Sequence, residues 1–389
     1  MSRTLAEMVA EMALSRLSAG ELEVVRRDGS SRTMNGSDLG GSATVVVKTP
    51  AAARRAVTAG AIGVAEGYMR GDWDTPDLDA VLELGANHVL HDHHTVRSVR
   101  SPWTRLLHRL RDNSLTGSRR NIAAHYDLGN DFYSLWLDET MTYSSALYDE
   151  PAADLLGAQR RKWDRLLEVV QPSRKDHLLE IGCGWGGFAL HAAKEAGCKV
   201  TGLTLSQEQA AWASQAVQRA GLEGLVDVRI QDYRRVDETF SAIVSIEMFE
   251  AVGERWWPTF FQRVRDLLPD KSVAAIQTIT IGDDRFEDYR DNPDFIQRYI
   301  FPGGMLPSPE RFTAAAAEQG LVVDDAHYFG HSYAATLAEW SRRFEAALPA
   351  VRALGFDEEF VRMWRYYLAY CRAGFSAGTV DVMQVRLET

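Results

Sequence analysis

The spacing of apolar residues changes along the chain and divides it into regions with different predicted structures. Residues 1–17 carry apolar side chains at helical spacing, which predicts a short amphipathic helix. Runs of alternating apolar and polar residues follow at 21–25 and 43–47, separated by glycine-containing turn sequences, and 78–84 is helical in pattern. These elements predict a small α+β domain over residues 1–90.

From residue 155 onward, strongly apolar runs alternate with helical stretches. Six runs have the length and composition of buried strands: 177–182, 198–203, 226–231, 241–246, 272–278 and 381–387. Near-continuous apolar strands separated by helices are typical of a mainly parallel sheet covered on both faces, so we predict an α/β fold. This larger domain is expected to span residues 118–389.

A basic linker, residues 91–117, connects the two predicted domains. The stretch from Arg97 to Arg120 contains seven arginines and one acid, with apolar residues at helical spacing. Such a segment either lies on an anionic lipid surface, where each cation contributes about 1 kcal/mol, or forms a solvated helix that docks on the larger domain. Four histidines between 88 and 94 lack carboxylate or cysteine partners at metal-ligand spacing, so we predict no metal site.

Composition and charge narrow the class of protein. The 389 residues suit two domains, and 46% hydrophobic with 25% charged residues is the balance of a globular protein. A net charge of −11 argues against a nucleic-acid partner. Three cysteines without paired spacing fit a reducing cytoplasm, and no window is long and apolar enough to span a membrane. We therefore expect a cytoplasmic protein that meets a membrane only peripherally, at its inner face.

A glycine-rich turn follows the first strand of the larger domain. Gly182, Gly184 and Gly186 would allow a tight turn, a close approach of the backbone to a ligand and close helix–strand packing. Dinucleotide-binding folds use a similar pattern, but Glu180 just before the first glycine would face a cation rather than a pyrophosphate. The turn therefore predicts a site for S-adenosylmethionine.

The ends of the next strands carry further residues expected at this cofactor. At the third strand end, an acid beside an aromatic residue could hold the adenine amino group and stack on its ring. The candidates at the two strand ends are Thr204, Leu205, Gln209, Asp232 and Tyr233.

Motifs spread over the larger domain resemble those of the cyclopropane-fatty-acyl-phospholipid synthase family. The entrance motif is matched at 121–133 and 141–145, which adds Tyr143 and Ser144 to the expected cofactor contacts, and Glu247 joins them by its position. Further matches lie at 182–187, 202–209, 248–253, 299–304 and 333–340. The resemblance covers about residues 118–389 and implies a Rossmann-like class I methyltransferase, whereas the first domain looks only loosely like the family's lipid-facing domain.

The resemblance also implies a reaction. The family methylates the double bond of an acyl chain attached to phospholipid, and the alkene carbon attacks the sulfonium methyl to give a carbocation. Loss of a proton from the new methyl closes a cyclopropane ring. The base in the family is a bound bicarbonate, held by a cysteine backbone, a glutamate, a histidine, an isoleucine backbone and a tyrosine.

Carrying these catalytic residues over gives three matches and two departures. Glu250, Tyr333 and Ile279 match the family's glutamate, tyrosine and isoleucine. Ser145 stands where the family has cysteine, and Gln277 where it has histidine. A backbone amide serves whatever the side chain, but glutamine offers only neutral hydrogen bonds where histidine can take up a proton. Two outcomes are therefore both compatible with the sequence: ring closure to a cyclopropane, and formation of a methyl-branched alkene or an exocyclic methylene. A branched product would need a separate redox enzyme to act on it afterwards.

A carbocation needs aromatic faces around it and little water. Eight aromatic residues of the larger domain are candidates for this lining: Tyr299, Phe301, Tyr333, Trp340, Trp364, Tyr366, Tyr367 and Phe375. For any single one of them, ordinary core packing is the better explanation, so the prediction concerns the group as a whole.

Two other functions remain alternatives. Some alkaloid N-methyltransferases share this fold and parts of these motifs, but a small-amine enzyme would have little need for the first domain or the basic linker. A lipid-binding protein without chemistry would have no need of the glycine turn with Glu180. We therefore expect a membrane phospholipid surface and unsaturated acyl chains as partners; the family is often dimeric, and a homodimer would gain membrane avidity.

Overall fold

The computed structural model describes residues 19–91, 128–149 and 154–389. The predicted helix at 1–17, the basic stretch from Arg97 to Arg120, two of the four histidines and the first part of the entrance motif lie outside these residues. Among the described helices, none has the length and apolar character needed to cross a membrane.

The N-terminal unit, residues 19–91, is a four-stranded sheet with two helices. Its elements are β1 (Ala19–Val25), β2 (Ser31–Asn35), β3 (Asp38–Val47), α1 (Ala51–Met69), β4 (Trp73–Asp74) and α2 (Leu78–His91). The strand order is β2-β1-β3-β4, with β1 parallel to β3 and antiparallel to β2. The two predicted alternating runs are thus the neighbouring parallel strands β1 and β3. The strand between them in sequence, β2, pairs with the other edge of β1.

The remaining described residues form helices around a second sheet. The elements are α3 (Asn130–Ser134), α4 (Leu155–Val170), β5 (His177–Ile181), α5 (Gly187–Glu195), β6 (Lys199–Thr204), α6 (Gln207–Ala220), β7 (Val226–Ile230), β8 (Ala242–Ile246), α7 (Trp257–Asp266), β9 (Val273–Ile281), α8 (Phe286–Asp291), α9 (Pro309–Ala317), β10 (Val322–Tyr328), α10 (Gly330–Ala346), α11 (Leu348–Ala353), α12 (Glu358–Ala377) and β11 (Val380–Glu388). A short π-helical turn spans Ile296–Ile300.

This second sheet has seven strands in the order β10-β11-β9-β8-β5-β6-β7. The pairs from β9 to β7 are parallel, and β11 runs antiparallel between β9 and β10. All six predicted runs are strands, which confirms the mainly parallel α/β sheet. The seventh strand, β10, escaped prediction because it lies at the edge, mostly exposed, and carries two aspartates in its middle.

Helix ends follow capping rules that the sequence encodes. Asp154 caps α4 by accepting a hydrogen bond from Gly157 N, and Ser206 caps α6 through Gln209 N. Asp357 does the same for α12, which ends at Gly378 in the left-handed conformation. These caps fix where α4 and α6 begin, and both helices border the candidate site.

One hydrophobic core is shared by the N-terminal unit and the second sheet's helices. Ala65, Tyr68 and Trp73 of the N-terminal unit lie in the same buried cluster as Trp136 and Trp364. Arg362 of α12 lies 3.9 Å from the centre of the Tyr68 ring and donates hydrogen bonds to the carbonyls of Tyr68 and Trp73. The N-terminal unit is therefore packed directly on the helical layer that covers the candidate site.

Candidate active site

The glycine-rich turn joins β5 to α5 and has the geometry that its glycines predict. Gly182 and Gly186 have φ values of +86° and +90°, which other residues rarely adopt. A Cβ on Gly182 would lie 2.7 Å from the Met248 side chain, whereas a Cβ on Gly184 would meet nothing within 4 Å. The turn is therefore closed on the side of β8 and open next to Gly184.

Glu180 lies at this turn with an unsatisfied carboxylate. The residue is buried, and its Oε2 has no hydrogen-bond partner among the described residues. Burial raises the pKa of Glu180 to about 8, against the opposing effects of the Ala189 amide and the Lys162 charge. A buried carboxylate with one unpartnered oxygen beside an open glycine turn suits the cationic amino group of S-adenosylmethionine, so the residues present fit this cofactor.

The loops after β6 and β7 carry the other candidate cofactor residues. Thr204 Oγ1 donates to Gln209 Oε1 at 2.8 Å and accepts from Ser206 N, so these residues brace one loop. Asp232 is paired with Arg234 at 2.7 Å, and the Tyr233 ring is buried against Phe260. Leu205 lies between Thr204 and the Ser206 cap. Adenine contacts by Asp232 and Tyr233 remain a prediction.

The chain segment before α4 brings Tyr143, Ser144 and Ser145 to the other side of the turn. The Tyr143 hydroxyl lies 2.8 Å from the Tyr367 hydroxyl. Ser144 Oγ accepts a hydrogen bond from Lys162 Nζ at 2.7 Å, and the Ser144 carbonyl accepts one from Gln159 Nε2. Ser145 is buried, and its amide points at Glu247.

Glu247 is the point at which several predicted catalytic residues meet. It follows β8 with a φ of +48°, one of the described non-glycine residues in the left-handed region. Its Oε1 accepts hydrogen bonds from Ser145 N at 2.8 Å and Gln277 Nε2 at 2.7 Å, and its Oε2 accepts one from the Tyr333 hydroxyl at 2.9 Å. Three donors from three separate segments thus converge on one carboxylate.

Glu250, one turn later, is held differently. Its Oε1 accepts a hydrogen bond from Ile279 N at 2.5 Å, while its Oε2 is buried without a partner among the described residues. Burial, and then the neighbouring charge of Glu247, raise the pKa of Glu250 to about 8. The structure therefore brings Glu250, Ile279, Ser145, Gln277 and Tyr333 together, with Glu247 at their centre.

The side-chain amide of Gln277 is oriented by a second glutamine. Gln384 lies opposite Gln277 in the β9–β11 register, and its Nε2 donates to Gln277 Oε1 at 2.9 Å. This contact directs the NH₂ group of Gln277 toward Glu247. Both glutamines are buried, so the pair forms a neutral hydrogen-bond relay across two strands.

The eight candidate lining aromatics belong to one apolar cluster. Six are buried members, and Tyr299 and Phe301 pack against it. Tyr333 stacks on Phe375 at 4.5 Å between ring centres, and Tyr143 lies 5.4 Å from Trp340 and 6.2 Å from Phe301. The Tyr299 hydroxyl donates instead to Glu66 of the N-terminal unit at 2.6 Å. Aromatic faces thus line the region next to Tyr143 and Tyr333.

Three polar residues beside the site were not expected from sequence: Gln159, Lys162 and Gln384. A signal for two of them exists in the helical pattern of α4. Its buried face comprises Leu155, Ala158, Gln159, Lys162, Trp163 and Leu166, so two polar residues occupy positions of the apolar stripe. A polar residue at such a position indicates a buried hydrogen-bond network.

Comparisons with known proteins agree with this geometry. The family model described as mycolic acid cyclopropane synthetase matches residues 113–385. Tuberculostearic acid methyltransferase UfaA1 of Mycobacterium tuberculosis is 41% identical over 350 residues, covering 86% of this chain and 80% of that protein. Cyclopropane-fatty-acyl-phospholipid synthase of Escherichia coli is 37% identical over 350 residues, covering 88% and 87%.

A solved structure extends the agreement to the fold. Mycolic acid cyclopropane synthase CmaA1 complexed with SAH and CTAB is 32% identical with a TM-score of 0.66, covering 70% of this chain and 98% of that one. The predicted class I methyltransferase fold, the S-adenosylmethionine cofactor and the family resemblance are thereby confirmed. This chain belongs to the mycolic acid cyclopropane synthetase family of S-adenosylmethionine-dependent methyltransferases.

Proposed function

We propose that this enzyme methylates the double bond of unsaturated acyl chains in phospholipids, that Glu247 accepts the proton, and that the product is methyl-branched. The convergence of Ser145 N, Gln277 and Tyr333 on the Glu247 carboxylate carries this proposal. These are the positions that the family resemblance assigns to holding a bicarbonate ion. Here they hold a carboxylate of the protein itself, and Ile279 N is engaged by Glu250. A bicarbonate ion does not fit donors that are already satisfied.

The acyl substrate is supported by the chemistry of the site walls. Tyr143, Trp340, Phe301, Tyr333 and Phe375 supply aromatic faces within one apolar cluster. Two relatives that match most of the chain are named for fatty-acyl chemistry. The apolar wall suits a hydrocarbon chain, and the fatty-acyl chemistry of these relatives favours that substrate over an amine.

The reaction needs a nucleophile, a stabilised cation and a base. S-adenosylmethionine, when bound, would supply an electrophilic methyl group. The alkene electrons would form the new C–C bond as the S–CH₃ bond breaks with its electrons left on sulfur, and the other alkene carbon would carry the positive charge. The π faces of the aromatic residues stabilise that cation by about 0.5 to 2 kcal/mol each. Glu247 then takes a proton from a carbon next to the cation, and the electrons of that C–H bond form the new double bond.

The two neighbouring carboxyl groups, Glu247 and Glu250, have separate roles because two buried carboxyl groups so close together cannot easily both be ionised. Burial raises the pKa of Glu247, but the charge of Lys162 and the donors Ser145, Gln277 and Tyr333 oppose that rise. Burial, and then the repulsion of Glu247, raise the pKa of Glu250 to about 8, against hydrogen bonds from the Ile279 amide, its own amide and the Thr278 side chain. At neutral pH we therefore assign the ionised, proton-accepting form to Glu247 and the protonated form to Glu250.

A methyl-branched product follows from where the base is attached. The Glu247 carboxylate is fixed by three donors and is part of the chain, and we assign the proton that it removes to the acyl chain and not to the added methyl group. Of the two fatty-acyl relatives matched over 350 residues, the more identical one is named a methyltransferase rather than a cyclopropane synthase. The branched alkene would be reduced by a separate redox enzyme. The enzyme would act at the cytoplasmic face of a membrane as a peripheral protein, with a homodimer increasing its avidity.

The test is to incubate the full-length protein with S-adenosylmethionine and vesicles of mono-unsaturated phospholipid, and to examine the released fatty acids by proton NMR. Mass cannot decide, because a cyclopropane and a methyl-branched alkene from one olefin are isomers. A new branch methyl together with the vinyl proton of an internal double bond is expected, because the proton is lost from the acyl chain. Upfield cyclopropane protons would overturn the branched product while leaving the acyl substrate intact, and absence of both, with turnover of small amines instead, would overturn the acyl substrate.

A further inference from the structure

Lys162 is a buried cation that the proposed reaction does not use. It lies in the middle of α4, its exposed fraction is 0%, and its Nζ donates a hydrogen bond to Ser144 Oγ at 2.7 Å. Lysine is rarely buried completely unless its charge is compensated. The first question is therefore which groups compensate it.

Three carboxylates stabilise the positive charge of Lys162, and Glu247 has the largest effect. Asp138 and Glu180 contribute less. The influence is mutual, because Lys162 is the largest of the factors that oppose the burial-induced rise of the Glu247 pKa. The ammonium group therefore acts more on the proposed base than on the other acids near it.

Lys162 is also connected to Glu247 through two hydrogen-bonded routes. On one route, Lys162 Nζ binds Ser144, and the next residue, Ser145, donates its amide to Glu247. On the other, Gln384 Nε2 lies between the Lys162 carbonyl and Gln277 Oε1, at 3.4 and 2.9 Å, and Gln277 donates to Glu247. One residue of α4 thus supports two of the three donors to the carboxylate.

We propose that Lys162 is a positioning residue whose positive charge keeps the buried Glu247 carboxylate ionised and ready to accept the proton. The inference rests on the proposed role of Glu247. Burial favours the neutral form of a carboxyl group, which cannot act as a base, and a nearby cation adds to the three donors in opposing that effect. A cation in direct contact would neutralise its basicity, whereas Lys162 donates to Ser144 and acts from the adjoining hydrogen-bond layer.

The charge of Lys162 is itself sensitive to pH. Burial lowers its pKa to about 8, and Glu247, Asp138 and Glu180 oppose that fall. The other titratable groups around Glu247 are Glu250 and Tyr333, and burial raises the pKa of both. The charge that supports Glu247 is therefore present at neutral pH and is lost as the pH rises through about 8.

The inference is tested by titrating the Glu247 carboxyl with difference infrared spectroscopy of the whole protein. Glu247→Gln identifies the carboxyl band, Lys162→Met removes the charge at similar side-chain length, and Lys162→Arg keeps it. We expect the Glu247 band in Lys162→Met to titrate at least about one pH unit higher than in wild type, with Lys162→Arg close to wild type. A band that titrates at the same pH in all three proteins would overturn the inference.

The pH profile of kcat separates this inference from the proposed function. In Lys162→Met the acid limb should move upward with the carboxyl band, and turnover at a pH below both midpoints should fall by about tenfold for each pH unit of the shift. If the band moves but the acid limb does not, Lys162 still sets the charge of Glu247, and it is the role of Glu247 as base that fails. Should Lys162→Met not fold, Lys162→Gln carries the same expectations for the band and the acid limb.

Discussion

At the scale of single residues, the site depends on the backbone of Glu247. A glutamate with a φ of +48° is unusual, and such strain persists where the surroundings enforce it. The left-handed turn directs the carboxylate back toward Ser145, 102 residues earlier in the chain. The sequence alone assigns Glu247 to the cofactor by its position, because no local pattern shows which distant amide a side chain will reach.

Removal of the Glu247 carboxylate should abolish most turnover and allow rescue. Glu247→Ala is expected to lower kcat by about 10² to 10⁴-fold while calorimetry shows S-adenosylmethionine binding close to wild type. Ser145 N, Gln277 and Tyr333 would then face a small polar space, so added formate or bicarbonate should restore part of the rate. Wild type should not respond to either ion. Glu254→Ala, which alters a surface ion pair, is the control.

The protonated state of Glu250 should be visible as a pH dependence of stability. Its folded pKa of about 8 lies above the ordinary 4.5, so its contribution is fully present below pH 4.5 and is lost as the pH rises through 8. Relative to Glu250→Gln, wild type should lose up to about 1.4 kcal/mol of unfolding free energy per pH unit inside this window. Chemical denaturation from pH 5 to 9 measures it, and parallel curves for the two proteins would contradict the assignment.

At the scale of elements, the neighbouring strands β9 and β11 set the polarity of the site. The antiparallel register of these strands places Gln384 beside Gln277. This pairing is not predictable from sequence, because the two residues are 107 apart and β11 is an antiparallel strand in a mainly parallel sheet. The six apolar strands were predictable because their runs are long and apolar. The edge strand β10 was not, because half-exposed edges need no continuous apolar run.

The Gln277 donor should influence the acidity of Glu247. Gln277→Leu removes a hydrogen bond of 2.7 Å to a charged acceptor, which stabilises the ionised form by about 1.5 to 3 kcal/mol. The acid limb of the kcat profile should therefore move upward by about one pH unit or more. Thr280→Val, a buried polar-to-apolar change on the same strand, should leave the profile unchanged. If both variants behave alike, the effect belongs to strand packing and not to the donor.

At the scale of the whole molecule, the N-terminal unit and the helical layer over the site form one packed body. Sequence predicted a boundary near residue 90 but not this contact, because the apolar faces of α1 and α12 do not reveal which partner each one covers. Tyr299 and Arg298, close to the aromatic wall at Phe301, both contact Glu66 of α1. A change in the packing of the N-terminal unit would therefore move the contacts of Tyr299 and Arg298, which lie close to the aromatic wall of the site.

Arg362 should be the main polar anchor of this contact. Arg362→Met removes a cation–π contact and two hydrogen bonds to buried carbonyls, and should cost about 2 to 4 kcal/mol of unfolding free energy. Faster proteolysis within the N-terminal unit is expected as well. Arg365→Met, three residues along the same helix, removes partly exposed ion pairs with Glu345 and Glu358 and should cost under about 1 kcal/mol. Equal losses in denaturation experiments would show that Arg362 anchors nothing.

The carboxylate built into the chain at Glu247 also bears on how the enzyme depends on its surroundings. An enzyme whose base is a bicarbonate ion taken from solution depends on dissolved carbon dioxide to replenish that ion. An enzyme with its own base should run at the same rate under a degassed buffer as under air. It could therefore modify lipids at a steady pace while respiration, growth phase or atmosphere change the inorganic carbon of the cell.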